Sequence, residues 1–208
     1  FLALYVTRTF NVGMTDVGLL FGLFSISSVV GSTIGGAMTD RLGRKGMLIF
    51  GLLGSASATL LMGLADSLGL FLVSTLLVGL LAHSGGPAQQ AMVADLLPRE
   101  KRAQGFGILR VVANLAIAIG PAIGGLLAAR SYLLLFVCDV VASLAAALFV
   151  VLTIRETKPE RAADEPEQTI VETLKGYGHV LRDTVFVLFI LASVLKALVS
   201  MQLTSTLP

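Results

Sequence analysis

The run Gly36-Ala-Met-Thr-Asp40-Arg41-Leu-Gly43-Arg44-Lys45 sets four charges into six positions, with roughly twenty apolar residues on either side, about the length that crosses a bilayer as a helix. Charges packed this closely are costly in hydrocarbon, so the run marks a short loop, Thr39 to Lys45, between two membrane-spanning helices.

Working outward, the composition agrees. Of 208 residues 55% are hydrophobic and only 13% charged, and the mean hydropathy is +0.89. Soluble domains carry about twice that share of charge. The apolar stretches are too long, and lack the period-two alternation, for an outer-membrane barrel. The expectation is an all-α, polytopic membrane helix bundle. Spans are expected at 1–11 (the end of a first helix), 17–38, 46–65, 69–94, 105–128, 132–154 and 184–207. Phe1 and Pro208 both fall within apolar stretches, so the sequence is expected to be an internal portion of a longer chain.

Alternate loops differ in charge. One set holds Arg41, Arg44, Lys45, Arg99, Lys101, Arg102, Arg155, Lys158, Arg161, Lys175 and Arg182, the other only Arg8 and Arg130. The positive-inside rule places the first set, and with it the charged run, in the cytoplasm. Net charge is +2 with no basic face, which argues against nucleic acid. The single cysteine, Cys138, excludes an internal disulfide or cysteine zinc site, and its apolar neighbours suggest a buried thiol.

Three regions follow: a transmembrane bundle over 1–155, a cytoplasmic central loop over 156–183, and a further span over 184–208. The loop opens as a polar, acidic stretch, Glu156 to Gln168, with too little apolar surface to fold alone. Ile170, Leu174, Tyr177 and Leu181 then fall on one helical face, which would lie on the membrane surface or pack on protein.

The fifth span, Gly107-Ile-Leu-Arg110-Val-Val-Ala-Asn114-Leu-Ala116-Ile-Ala-Ile-Gly120-Pro121-Ala-Ile-Gly124-Gly125, carries small residues at Ala116, Gly120, Gly124 and Ala128 on one stripe that permits close helix approach. Pro121 removes a backbone hydrogen bond and is expected to bend the helix. Ionisable groups within spans cost roughly 2.5 to 3.5 kcal/mol each on insertion scales and tend to be functional. Counting ~1.5 Å per residue, Arg110 lies about 8 Å inside the cytoplasmic face, and Asp139 and Lys196 about 10 to 12 Å below the outer face. Arg110, Asp139 and Lys196, with Asn114 one turn above Arg110, are the candidates for substrate or proton handling. His83, mid-span, can carry protons or simply bond a neighbouring helix. Asp95, near the cytoplasmic end of its helix, is the best partner for Arg44 and Lys45. The sequence contains no phosphate-binding loop, no H-E-x-x-H and no nucleophile elbow, so no enzyme, cofactor or metal site is expected.

The run at Gly36, Asp40, Arg41, Gly43, Arg44 and Lys45 closely resembles the loop motif G-x-x-x-D-R-x-G-R-K between the second and third helices of the major facilitator superfamily. Gly107, Gly120, Pro121, Gly124 and Gly125 resemble that family's antiporter motif, with Ala116 in place of its second glycine. Where proton-coupled exporters of the family carry an arginine on the fourth helix, Leu81 stands, which leaves the coupling ion open. The resemblance implies the N-terminal six-helix bundle, partly truncated, plus the first helix of the C-terminal bundle. It also implies that the charged run latches the two bundles in one conformation. The function implied is secondary active transport by alternating access in the inner (plasma) membrane, exporting small molecules by proton antiport. Partners would be a small-molecule solute, protons, the lipid bilayer and the remaining C-terminal helices. A uniporter or symporter of a metabolite in the same superfamily, or a non-transporting membrane sensor or partner subunit, are the alternatives.

Overall fold

The computed structural model describes the backbone of residues 2–157 and 182–206 and, within them, the side chains of all but Asp40 and residues 197–206. The described residues form helices joined by short connections, with no strand among them: α1 (Leu2–Phe10), α2 (Met14–Leu42), α3 (Arg44–Gly63), α4 (Leu68–Ser84), α5 (Gly86–Leu96), a 3₁₀ turn (Arg99–Lys101), α6 (Arg102–Arg130), α7 (Tyr132–Thr153) and α8 (Thr184–Thr206). Five of the spans among the described residues are long and apolar enough to cross a membrane. Contacts divide the chain into two units, Phe1–Glu160 and Arg161–Pro208, with α8 in the second. The amphipathic segment expected from Ile170 to Leu181 lies outside the described residues.

Two spans differ from expectation for identifiable reasons. The helix expected at 17–38 runs on through Leu42, so the loop expected from Thr39 to Lys45 shrinks to Gly43 alone. Charged residues leave the hydrocarbon by extending the helix into water, because intrahelical hydrogen bonds form on either side of that boundary. The span expected at 69–94 is broken at Gly85, between α4 and α5. Pro87 has no N–H to return to the His83 carbonyl one turn back, which interrupts the helical ladder there.

In the first unit α2 packs on α4, and α3 lies against both α4 and α7. At the end away from the basic residues, Val6, Val17, Leu20, Met62, Ala65, Phe71 and Phe136 form one buried cluster. Tyr5 sits among its rings, 5.6 Å from Phe71, 5.5 Å from Phe136 and 5.2 Å from Tyr132 between centroids. Edge and tilted contacts at such distances add to the burial itself, so α1 is pinned to α4 and α7.

The α2–α4 crossing is held differently. A side chain at Gly31 would run into the Leu80 carbonyl, and one at Gly35 into the Ser84 carbonyl. From the other helix, a Cβ at Gly79 would lie 2.9 Å from the Phe24 carbonyl oxygen. Ser27 closes the seam by donating to the Leu76 carbonyl at 2.5 Å. The sequence Gly31-Ser-Thr-Ile-Gly35 is a G-x-x-x-G pattern, in which the missing side chains let two helix backbones touch.

Much of the remaining surface is apolar. Leu126 is 74% exposed and Ile117 72%, and a bilayer, unlike water, accommodates such faces without penalty. The same reason corrects the expectation for Cys138, which is exposed on α7 rather than buried. Apolar neighbours signal burial in a soluble protein, but in a membrane protein the outside is apolar too.

Candidate functional site

The charged run becomes a tight corner. α2 ends at Leu42, α3 begins at Arg44, and Gly43 between them has φ 93° and ψ 156°. A positive φ of this size is open to glycine and strained for other residues. The corner leaves the first N–H groups of α3 without intrahelical acceptors, and a helix N-terminus also carries positive partial charge. Glu156, three residues past the end of α7, supplies the missing anion. Its carboxylate accepts from the Arg44 N–H at 2.9 Å and from the Lys45 N–H at 3.2 and 3.3 Å.

Lys45 returns the arrangement. Its Nζ donates to the Val151 carbonyl at 2.8 Å, in the last turn of α7. A cation thus meets the negative end of α7 while an anion from just beyond α7 meets the positive end of α3, so each helix caps the other. Arg44 points elsewhere. Its guanidinium forms an ion pair with Asp95 on α5 and donates from Nη1 to the Thr157 carbonyl at 2.8 Å. With side chains 14% and 27% exposed, the Arg44–Asp95 pair is shielded enough to matter more than a surface bridge. One corner therefore gathers α2, α3, α5 and the chain after α7.

The structure separates the two partners expected for Asp95: Arg44 pairs with it, and Lys45 does not. Gly36 faces Pro87, and a Cβ there would make ordinary contact at 3.8 Å. Asp40 and Arg41 occupy the last turn of α2, with Arg41 exposed. Glu156 escaped the sequence reading, which assigned it to a polar linker. The available signal was an acidic residue directly after the last apolar turn, Arg155-Glu156-Thr157, at the same membrane face as the basic run.

Two glycines of the fifth span lie open among the described residues. A Cβ on Gly107 or Gly120 would meet no atom within 4 Å, so the close approach expected of that stripe is not made at these two positions among the described residues. Pro121 lies inside α6, which continues unbroken from Arg102 to Arg130. Gly124 and Gly125 follow within the same helix, half-buried.

Arg110 and Asn114 share an exposed face of α6, Asp139 is exposed on α7, and Lys196 is exposed on α8 in the second unit. The described residues show no hydrogen bond or ion pair for any of these four side chains. His83 does not bond a neighbouring helix. Its Nδ1 lies 3.1 Å from the Gly79 carbonyl of its own helix, and its ring meets Phe24 of α2 edge-on at 5.8 Å.

Comparison with known proteins adds an independent line. The model of the Major Facilitator Superfamily matches residues 1–208. A Na(+), Li(+), K(+)/H(+) antiporter of Planococcus maritimus is 31% identical over 100% of this chain and 52% of its own length. Multidrug resistance protein 1 of Bacillus subtilis is 31% identical over 89% of the chain and 47% of that protein. The class H tetracycline resistance protein of Pasteurella multocida is 31% identical over 71% and 37%. The chain spans about half the length of the first two relatives.

Proposed function

We propose, for a chain that belongs to the major facilitator superfamily, that the intact protein is a carrier in the plasma membrane, exporting small molecules in exchange for protons by alternating access. The observation that carries this reading is the Arg44–Asp95 pair at the Gly43 corner. It joins the start of α3 to the end of α5 at the basic, cytoplasmic end of the bundle, where a carrier must close while its outer side opens. A shielded ion pair suits that task, because it is stable when formed and releases charges that water solvates when the gap widens. The corner, with Gly36, Asp40, Arg41, Gly43, Arg44, Lys45 and Asp95, then works as a conformational latch.

The relatives support export against protons: one is named a cation/proton antiporter, and two are named for resistance to drugs. Arg110, Asn114, Asp139, Lys196 and His83 are the groups we assign to solute or proton handling, since each places polarity within a span. The outward faces of α6, bearing Gly107, Gly120 and Pro121, would meet the remaining helices of the intact protein. A second reading, exchange of a monovalent cation for protons, rests on the Planococcus relative, whose similarity covers the whole chain.

Everted vesicles carrying the intact protein test both readings. An imposed gradient, acid inside, should drive accumulation of a cationic dye such as ethidium, or of ²²Na⁺ under the second reading. Movement of either solute that ignores the gradient would exclude antiport. No movement of any solute in a broad panel would favour a sensor or partner subunit instead.

A further inference from the structure

The Gly43 corner is held from a place that the charged run itself does not contain. Glu156 reaches back 112 residues in sequence to the Arg44 N–H, and the next residue, Thr157, offers its carbonyl to the Arg44 guanidinium. These two contacts act on different parts of one residue. The carboxylate seats the backbone of Arg44, and the carbonyl holds its side chain beside Asp95. Thr157 is itself set by a bond from its N–H to the Glu156 carboxylate at 2.9 Å.

Two further observations show that the segment is fitted to the corner rather than lying loosely against it. A Cβ on Gly43 would stand 2.6 Å from Glu156 Oε2, so the glycine that the positive φ favours is also the one that leaves room for this carboxylate. The Thr157 hydroxyl is buried, with no hydrogen-bond partner among the described residues. Burying a hydroxyl unsatisfied is unfavourable and persists only when neighbouring contacts outweigh it.

We propose that Glu156 is a positioning residue of the latch: it seats the first turn of α3 and thereby aims Arg44 at Asp95, so that the chain leaving α7 governs whether the latch holds. The inference rests on the latch reading given above. If the segment 155–157 is drawn away from the corner, α3 loses its cap and Arg44 loses one of its two acceptors together.

Hydrogen–deuterium exchange of the intact purified protein, read by peptic-fragment mass spectrometry, tests this without knowledge of the solute. In Glu156→Gln, exchange of the Arg44 and Lys45 amides should rise about tenfold, as expected for loss of a charged acceptor. Exchange over residues 92–97 around Asp95 should rise with it. Glu156→Asp, which keeps the charge on a shorter arm, should fall between Gln and the unaltered protein in both segments, and serves as the readout if the Gln variant fails to elute as a single species. Unchanged exchange at Arg44 and Lys45 would overturn the proposal. So would a rise there with residues 92–97 unaffected, which would make Glu156 a helix cap and nothing more. The latch reading fails separately, if Asp95→Asn leaves both segments and transport as they were.

Discussion

Two stretches of this chain carry glycines four residues apart, and among the described residues Gly31 and Gly120 stand in opposite situations. On α2, Gly31 and Gly35 are closed by the backbone of α4. On α6, Gly120 and Gly124 repeat the spacing, yet a Cβ on Gly120 would touch nothing among the described residues, and Ile117 and Leu126 nearby are exposed. The spacing is the same; the partner is not. A stripe of small residues permits a close approach and says nothing about which helix makes it, because in lipid the drive to associate comes from the fit of the two surfaces rather than from hiding apolar area.

That contrast can be broken most sharply at Gly35. Gly35→Leu puts a branched side chain into the Ser84 backbone, and we expect a loss above about 3 kcal/mol, enough to abolish a cooperative thermal transition in detergent. A normal transition would mean that the α2–α4 seam is looser than described. In residues 1–208 by themselves, Gly120→Leu should shift stability by no more than about 0.5 kcal/mol, since the added atoms enter open space there. Under the proposed function it should nevertheless depress transport, because α6 must then meet helices outside this chain. Transport at the unaltered rate would remove the argument that the α6 stripe is an interface. The smallest effect is expected for Gly36→Ala, whose Cβ meets Pro87 at an ordinary 3.8 Å. Replacing a helical glycine should if anything stabilise by about 0.5 to 1 kcal/mol. A melting point that falls clearly would show that Gly36 is needed for space after all.

The fold was largely legible. Hydropathy located the spans to within a few residues, and the charged run located the corner between the first two complete ones. Asp95 was a readable partner for Arg44, because an acid near a helix end at the basic face has few other places to find a cation. Lys45 was misjudged for a related reason. Its partner is a backbone carbonyl of α7, and carbonyls are present at every position, so no residue type announces them. Glu156 is the mirror case: its side chain accepts from backbone N–H groups, which no residue type in the sequence announces. The G-x-x-x-G pattern at Gly31 and Gly35 is visible in the sequence but does not name the helix it meets. His83 found its acceptor one turn back on its own helix, an option open to any side chain of that reach.

The sequence by itself determined that the chain crosses a membrane repeatedly, which loops carry its basic residues, and where the charged corner lies. Those properties depend on the free energy of moving each residue type between water and hydrocarbon, which is nearly additive along the chain. Tertiary structure alone decided that Gly31 and Gly35 close on α4, that the corner reduces to Gly43, and that Glu156 and Lys45 cap each other's helices. Those outcomes depend on which backbone groups are left unpaired and what comes within 3 Å of them, a property of approach in space that residue type does not encode.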